Sequence, residues 1–131
     1  MPTSPARGYT SRMDESRHVS VWINRPADEV YAFASDVKRL PQWAAGLATV
    51  GDVHVEFVST NDLGVLDHVV TLPSGEAVYN PMRVIPAATP GDARCEVVFT
   101  VRRRDLTDEG LESDVAAVSA DLQRLKSLLE T

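Results

Sequence analysis

The stretch from Val19 to Leu47, VSVWINRPADEVYAFASDVKRLPQWAAGL, constrains the fold more than any other part of this chain. It opens with Val19, Val21 and Ile23 alternating against Ser20, Trp22 and Asn24, the period-2 pattern of a strand with one buried face. Asn24-Arg25-Pro26 then breaks the strand, because proline fixes φ and withholds a backbone donor. The spacing of Val30, Tyr31, Phe33 and Ala34 predicts a short helix after the break. After Asp36 a second short helical run holds Leu40, Pro41 and Trp43.

From residue 53 to 104 the pattern returns to period 2. Val53, Val55 and Phe57 alternate with His54 and Glu56, and Leu66, His68, Val70 and Leu72 share one face of the next run. Pro73-Ser74-Gly75 reads as a tight hairpin connection. Val78, Met82 and Val84 mark a third run, the segment from Pro86 to Asp92 a long turn, and Cys95, Val97, Phe99 and Val101 a fourth run. Successive antiparallel strands in a meander are expected. The end of the chain is helical: Leu111, Val115, Val118, Leu122, Leu125 and Leu129 fall at steps of three and four on one stripe. Thr107 is placed to cap it, Asp108, Glu109 and Glu112 suit its positive start, and Arg124 and Lys126 lie near its far end. Burying each large side chain contributes roughly 1.5–3 kcal/mol before the entropy cost. Just under three heptads is too short for a zipper signature, so the stripe is expected to pack across a sheet.

Strand, two short helices joined by a hydrophobic-acidic-Pro-Trp connector, several antiparallel strands and a long last helix: this order resembles the START-like superfamily. That group (SRPBCC) contains polyketide cyclase/dehydrase and lipid-transport proteins. The resemblance runs from about Arg17 to Glu130. Its later blocks, FVSTNDLGVLDHVVTLPSGEAVYNPMRVIP and CEVVFTVRRRDLTDEGLESDVAAVSADLQRLKSLLE, look like a branch of unassigned biochemical function. It implies an α+β helix-grip fold, in which a curved antiparallel sheet wraps the C-terminal helix and leaves a pocket between them. Residues 1–16 are then a flexible N-terminal arm and 17–131 a single START-like domain. Members of the superfamily usually have a further hairpin where this chain offers only Ala48 to Asp52. Five or six strands are therefore expected in place of seven, with a small or one-sided pocket.

Composition narrows the function classes. At 131 residues, 44% hydrophobic and 24% charged, the chain has the size and make-up of one globular domain with a real core. A formal charge of −6 argues against a duplex nucleic-acid partner, which needs clustered Lys and Arg. The one basic run, Arg102-Arg103-Arg104, is followed by Asp105, Asp108 and Glu109, a local ion-pairing neighbourhood. No run approaches the roughly 18 apolar residues of a membrane span. The start, MPTSPARGYTSRMDES, has no apolar stretch of a secretory signal, and a cytoplasmic location is expected. Cys95 has no partner for an intramolecular disulfide, and three histidines far apart make a poor metal site, so no metal is expected. No G-x-G-x-x-G, P-loop or G-x-S-x-G occurs, and no cofactor is expected.

The cavity candidates are Trp43, Phe57, His68, Tyr79, Asn80, Met82 and Phe99; no residue is assigned as catalytic. His68 shares the inward face with Leu66, Val70 and Leu72, where an imidazole can act as acid or base or simply tie strands through Asp67, Tyr79 or backbone. Val78, Asn80, Met82 and Val84 share one face, with Tyr79, Pro81 and Arg83 on the other. A bulge at Pro81 would reverse the order and bring Tyr79 or Arg83 inward. Resemblance to cyclase-like members implies that Arg, Tyr or Asn in the pocket polarises a carbonyl or holds an enolate. Trp43 is expected to cap the pocket or plug the core, and Trp22 to face outward as a candidate homodimer patch. Three functions remain open: a protein that binds a hydrophobic or aromatic small molecule, a polyketide cyclase or dehydratase-type enzyme without cofactor, and an interaction module with a closed core.

Overall fold

Strand β1 (Ser16–Ile23) forms where the alternation predicts it, with Val21 and Ile23 buried and Ser20 and Trp22 exposed. The computed structural model describes residues 14–44 and 53–131; the connector Ala48 to Asp52 and most of the expected arm lie outside them. Pro26 ends the strand in an extended conformation at the N-cap of α1 (Ala27–Ala34), and its carbonyl accepts from the N–H groups of Glu29 and Val30. Asp28 and Glu29 in the first turn complement the helix dipole. The Asp36 carboxylate then accepts the Lys38 N–H and starts a 3-10 turn, Val37–Arg39, that runs directly into α2 (Leu40–Trp43). Both helices are short, and each is held by what it buries: Val30 and Ala34 in α1, Leu40 and Trp43 in α2.

Five more strands follow: β2 (His54–Phe57), β3 (His68–Thr71), β4 (Ala77–Asn80), β5 (Met82–Pro86) and β6 (Cys95–Arg102). They make two antiparallel three-stranded sheets among the described residues, ordered β1-β6-β5 and β2-β3-β4. The hairpin between β3 and β4 turns at Leu72 to Gly75, where Gly75 N–H donates to the Leu72 carbonyl and Gly75 adopts φ +93°.

The run from Val78 to Val84, expected as one strand, is two. Pro81 divides it, because it has no N–H for a ladder. Its carbonyl accepts from Thr100 N–H at 3.0 Å, so the chain leaves β3 as partner and takes β6. The alternation survives the break: Val78 and Asn80 face a cavity, and Met82 and Val84 are buried in the core. No register flip occurs.

A second thread joins the sheets at this corner. Leu66 N–H donates to Met82 and Val84 N–H to Gly64, with Val65 bridged to Arg83. Gly64 has φ +75°, and a Cβ there would lie 2.1 Å from the Val84 carbonyl oxygen, so only glycine allows the approach. Beside it the buried Asp67 carboxylate accepts from Tyr79 OH (2.7 Å), Met82 N–H (2.9 Å) and Arg83 Nη1 (2.7 Å). One carboxylate thus pins β3, β4 and β5 together.

Helix α3 (Asp108–Leu129) packs across β1 and β6 and completes the α+β grip. Thr107 Oγ1 accepts from Gly110 N–H at 3.0 Å, the cap expected from the sequence. The buried Arg103 guanidinium fastens this end, pairing with Glu15 and Asp108 and donating to the Leu106 carbonyl. At the far end Arg25 donates to the Leu129 carbonyl and Lys126 to the Trp22 carbonyl. Leu111, Leu122, Leu125 and Leu129 are buried, whereas Val115 and Val118 in the middle of the stripe are only half-buried.

Candidate functional site

The half-buried middle of α3 has a cause: Val118 borders a cavity of about 330 Å³. Helix α2 contributes Leu40 and Trp43, β3 His68 and Val70, β4 Val78 and Asn80, and β6 Phe99 and Val101; Phe57 at the end of β2 and Leu122 of α3 close it. A cavity of about 150 Å³ admits benzene. One of about 330 Å³ has room for a molecule of about two fused rings.

Away from its charged border, the wall has two polar side chains, His68 and Asn80. Phe57, His68 and Asn80 stand in one cross-strand row, each directly opposite the next. His68 Nδ1 lies 2.9 Å from the Leu66 carbonyl oxygen. A carbonyl can only accept, so Nδ1 carries the proton, and the Nε2 lone pair has no partner among the described residues. The ring is held between Phe57 (centroids 5.1 Å apart, tilted) and Phe99 (5.7 Å, edge-on). Burial lowers the imidazole pKa below 6.5, against the opposing pull of the Leu66 bond and the Asp67 charge, and keeps the ring neutral at pH 7. The Asn80 side chain has no hydrogen-bond partner among the described residues. Trp43 is 3% exposed, and its buried Nε1–H has no partner among the described residues.

One border of the cavity is charged, formed by Arg102, Arg104, Asp114 and Asp121. Arg104, with φ +55°, reaches Glu76 in the β3–β4 turn (3.2 Å) and Asp114 on α3 (3.7 Å). Arg124 pairs with Asp121 and donates to the Trp43 carbonyl, tying α3 to α2. Among the described residues no group of three His, Cys, Asp or Glu side chains converges as a metal site. No helix among them is long and apolar enough to cross a membrane.

No family model and no curated protein matches this sequence. Solved structures do. DynU16, a protein of the dynemicin biosynthetic locus, superposes with a TM-score of 0.68 at 18% identity over 90% of this chain, which spans 48% of the length of DynU16. DR_A0006 from Deinococcus radiodurans gives 0.57 at 20% identity, over 88% of this chain and 98% of that one. Norcoclaurine synthase of Thalictrum flavum, a point mutant in complex with a transition-state analogue, gives 0.57 at 12% identity, over 88% and 93%. The fold is START-like.

Within this START-like cavity, five of the seven residues expected from the sequence come together: Trp43, Phe57, His68, Asn80 and Phe99. Two do not. Tyr79 is 52% exposed and its hydroxyl donates to Asp67, because the alternation that turns Asn80 inward turns its neighbour outward. Met82 lies past the Pro81 corner, wholly buried in the apolar core and opposite Phe99. Arg83 is on the outer face with Asp67. Trp22 also faces out, 44% exposed, with the Arg94 guanidinium 5.3 Å from its ring centre. The charged border was not anticipated. Its signal was available in α3, where Asp114, Val118 and Asp121 follow i, i+4, i+7 spacing and so share a face.

Proposed function

We propose that this chain binds a hydrophobic or aromatic small molecule in the cavity between its sheets and α3. The observation that carries this reading is the cavity itself: about 330 Å³, walled chiefly by Leu, Val, Phe and Trp, with His68 and Asn80 as polar points in that wall and one charged border. Such a wall supplies contact area from its apolar side chains and orientation from its few polar ones. A core closed by its own side chains does not match a void of this size. The test is native mass spectrometry of protein purified from its own host, run beside a denatured sample. A small-molecule adduct lost on denaturation is expected. A clean apo mass, together with no uptake of naphthalene or 2-naphthol in solution, overturns the reading.

The free Nε2 of His68 favours a second reading, an enzyme that works by acid–base chemistry without cofactor. A neutral imidazole at the wall of a cavity is a competent general base. Turnover of a bound ligand that rises with pH through the imidazole range, and is lost in His68→Gln, would support it. Turnover indifferent to that substitution would remove it.

A further inference from the structure

We infer that the ligand presents a ring-borne hydroxyl, a phenol or enol, to the His68–Asn80 pair. The inference rests on the proposed binding function and specifies the chemistry that the same cavity selects. His68 and Asn80 are direct cross-strand partners, and both side chains border the void. Direct partners hold their Cβ atoms about 4.5–5.5 Å apart, close enough for both to meet one small group.

The two residues differ in what they offer. With Nδ1–H spent on the Leu66 carbonyl, the imidazole faces a ligand as an acceptor only. Phe57 and Phe99 hold the ring, so this polarity is a fixed property of the wall. The Asn80 amide offers two donors and an acceptor, none engaged among the described residues. The complement is a neutral group that donates to His68 Nε2 and accepts from Asn80 NH₂. A hydroxyl does both from one atom.

Other groups match less well. A ketone or ether accepts from Asn80 and leaves Nε2 unpaired. A carboxylate sets its negative charge against the Nε2 lone pair. An ammonium can donate to both residues, but beside His68 it would lie against the Phe57 and Phe99 rings, where burying its charge is costly. The two-ring space and the hydroxyl requirement together describe a fused-ring phenol.

The experiment compares 2-naphthol, 2-methoxynaphthalene and naphthalene by titration calorimetry, using the full chain and the variants His68→Phe and Asn80→Leu, each first confirmed as folded by circular dichroism. Asn80 is half-exposed, so its variant serves if His68→Phe fails to fold. The expected result is 2-naphthol binding about tenfold or more tighter than its methyl ether, the difference expected when one buried polar group is left unpaired. That ratio is expected to fall to about one in His68→Phe, which removes the acceptor. Asn80→Leu removes a donor that both oxygens use, and is expected to keep the ratio while lowering the preference of both ligands over naphthalene. Equal binding of 2-naphthol and 2-methoxynaphthalene, a ratio that survives His68→Phe, or a preference over naphthalene unchanged in Asn80→Leu, overturns the inference while leaving the cavity's binding function standing. Failure of all three to bind overturns both.

Discussion

At His68, burial pulls the pKa down while the Leu66 carbonyl and the Asp67 charge pull it up, and burial wins. The unfolded chain therefore takes up the proton more readily than the folded one, and stability rises with pH across this range. The contribution is complete above about pH 6.5 and is lost as pH falls through the lowered folded value. The carboxylates held low by ion pairs, Glu15, Asp92 and Glu130, lose their contributions further into acid. Urea denaturation as pH falls below about 6.5 is thus expected to show a slope that flattens in His68→Gln. A slope unchanged by the substitution would acquit this histidine. Cys95 behaves differently: burial alone pushes its thiol up to about 11, so the native chain holds no appreciable thiolate at neutral pH. Iodoacetamide at about pH 8 is expected to label Cys95 at the rate of unfolding and quickly in denaturant. Rapid labelling of the native chain would contradict its burial.

Among the elements, α3 bears the largest apolar load, and its stripe is not uniform. Leu125 is fully buried, so Leu125→Ala is expected to lower stability by about 2–5 kcal/mol in chemical denaturation. Val118→Ala is expected to lower it less, since Val118 already faces empty space. Equal losses would mean that the void closes in solution. The corner between the sheets makes a sharper demand. Gly75 and Gly64 both have positive φ, but a side chain at Gly75 meets nothing within 4 Å, whereas at Gly64 it meets the Val84 carbonyl at 2.1 Å. Gly75→Ala is therefore expected to cost about 1–2 kcal/mol of backbone strain, and Gly64→Ala substantially more. Comparable melting temperatures for the two variants would show that the corner yields.

For the molecule as a whole, stability and binding place opposite demands on one space. A filled core would be more stable, and the cavity persists because the sheets and α3 are tied at their ends. Arg103 and Thr107 hold one end of the helix, and Arg25 and Lys126 the other. The span between them is free to stand over a void. Val118→Phe fills that void from the helix side and is expected to abolish 2-naphthol binding without lowering the melting temperature. Retained binding would place the ligand elsewhere on the chain.

Local pattern was enough for much of this. The alternation of Val21 and Ile23, the break at Pro26, the Thr107 cap and the Leu111 to Leu129 stripe are properties of neighbours in sequence, and each element formed where its pattern lies. The inward turn of His68 and Asn80 follows from the same period-2 rule. The tertiary structure decided the rest. Nothing local to Pro81 says that the chain exchanges β3 for β6 there, since that depends on which strand presents an unpaired N–H, here Thr100. Met82 passes from cavity candidate to core, and Arg104 from charge run to cavity border, for the same reason. Periodicity tells a side chain which face it occupies. Only the packing of sheet against helix decides whether that face meets another side chain or an empty space.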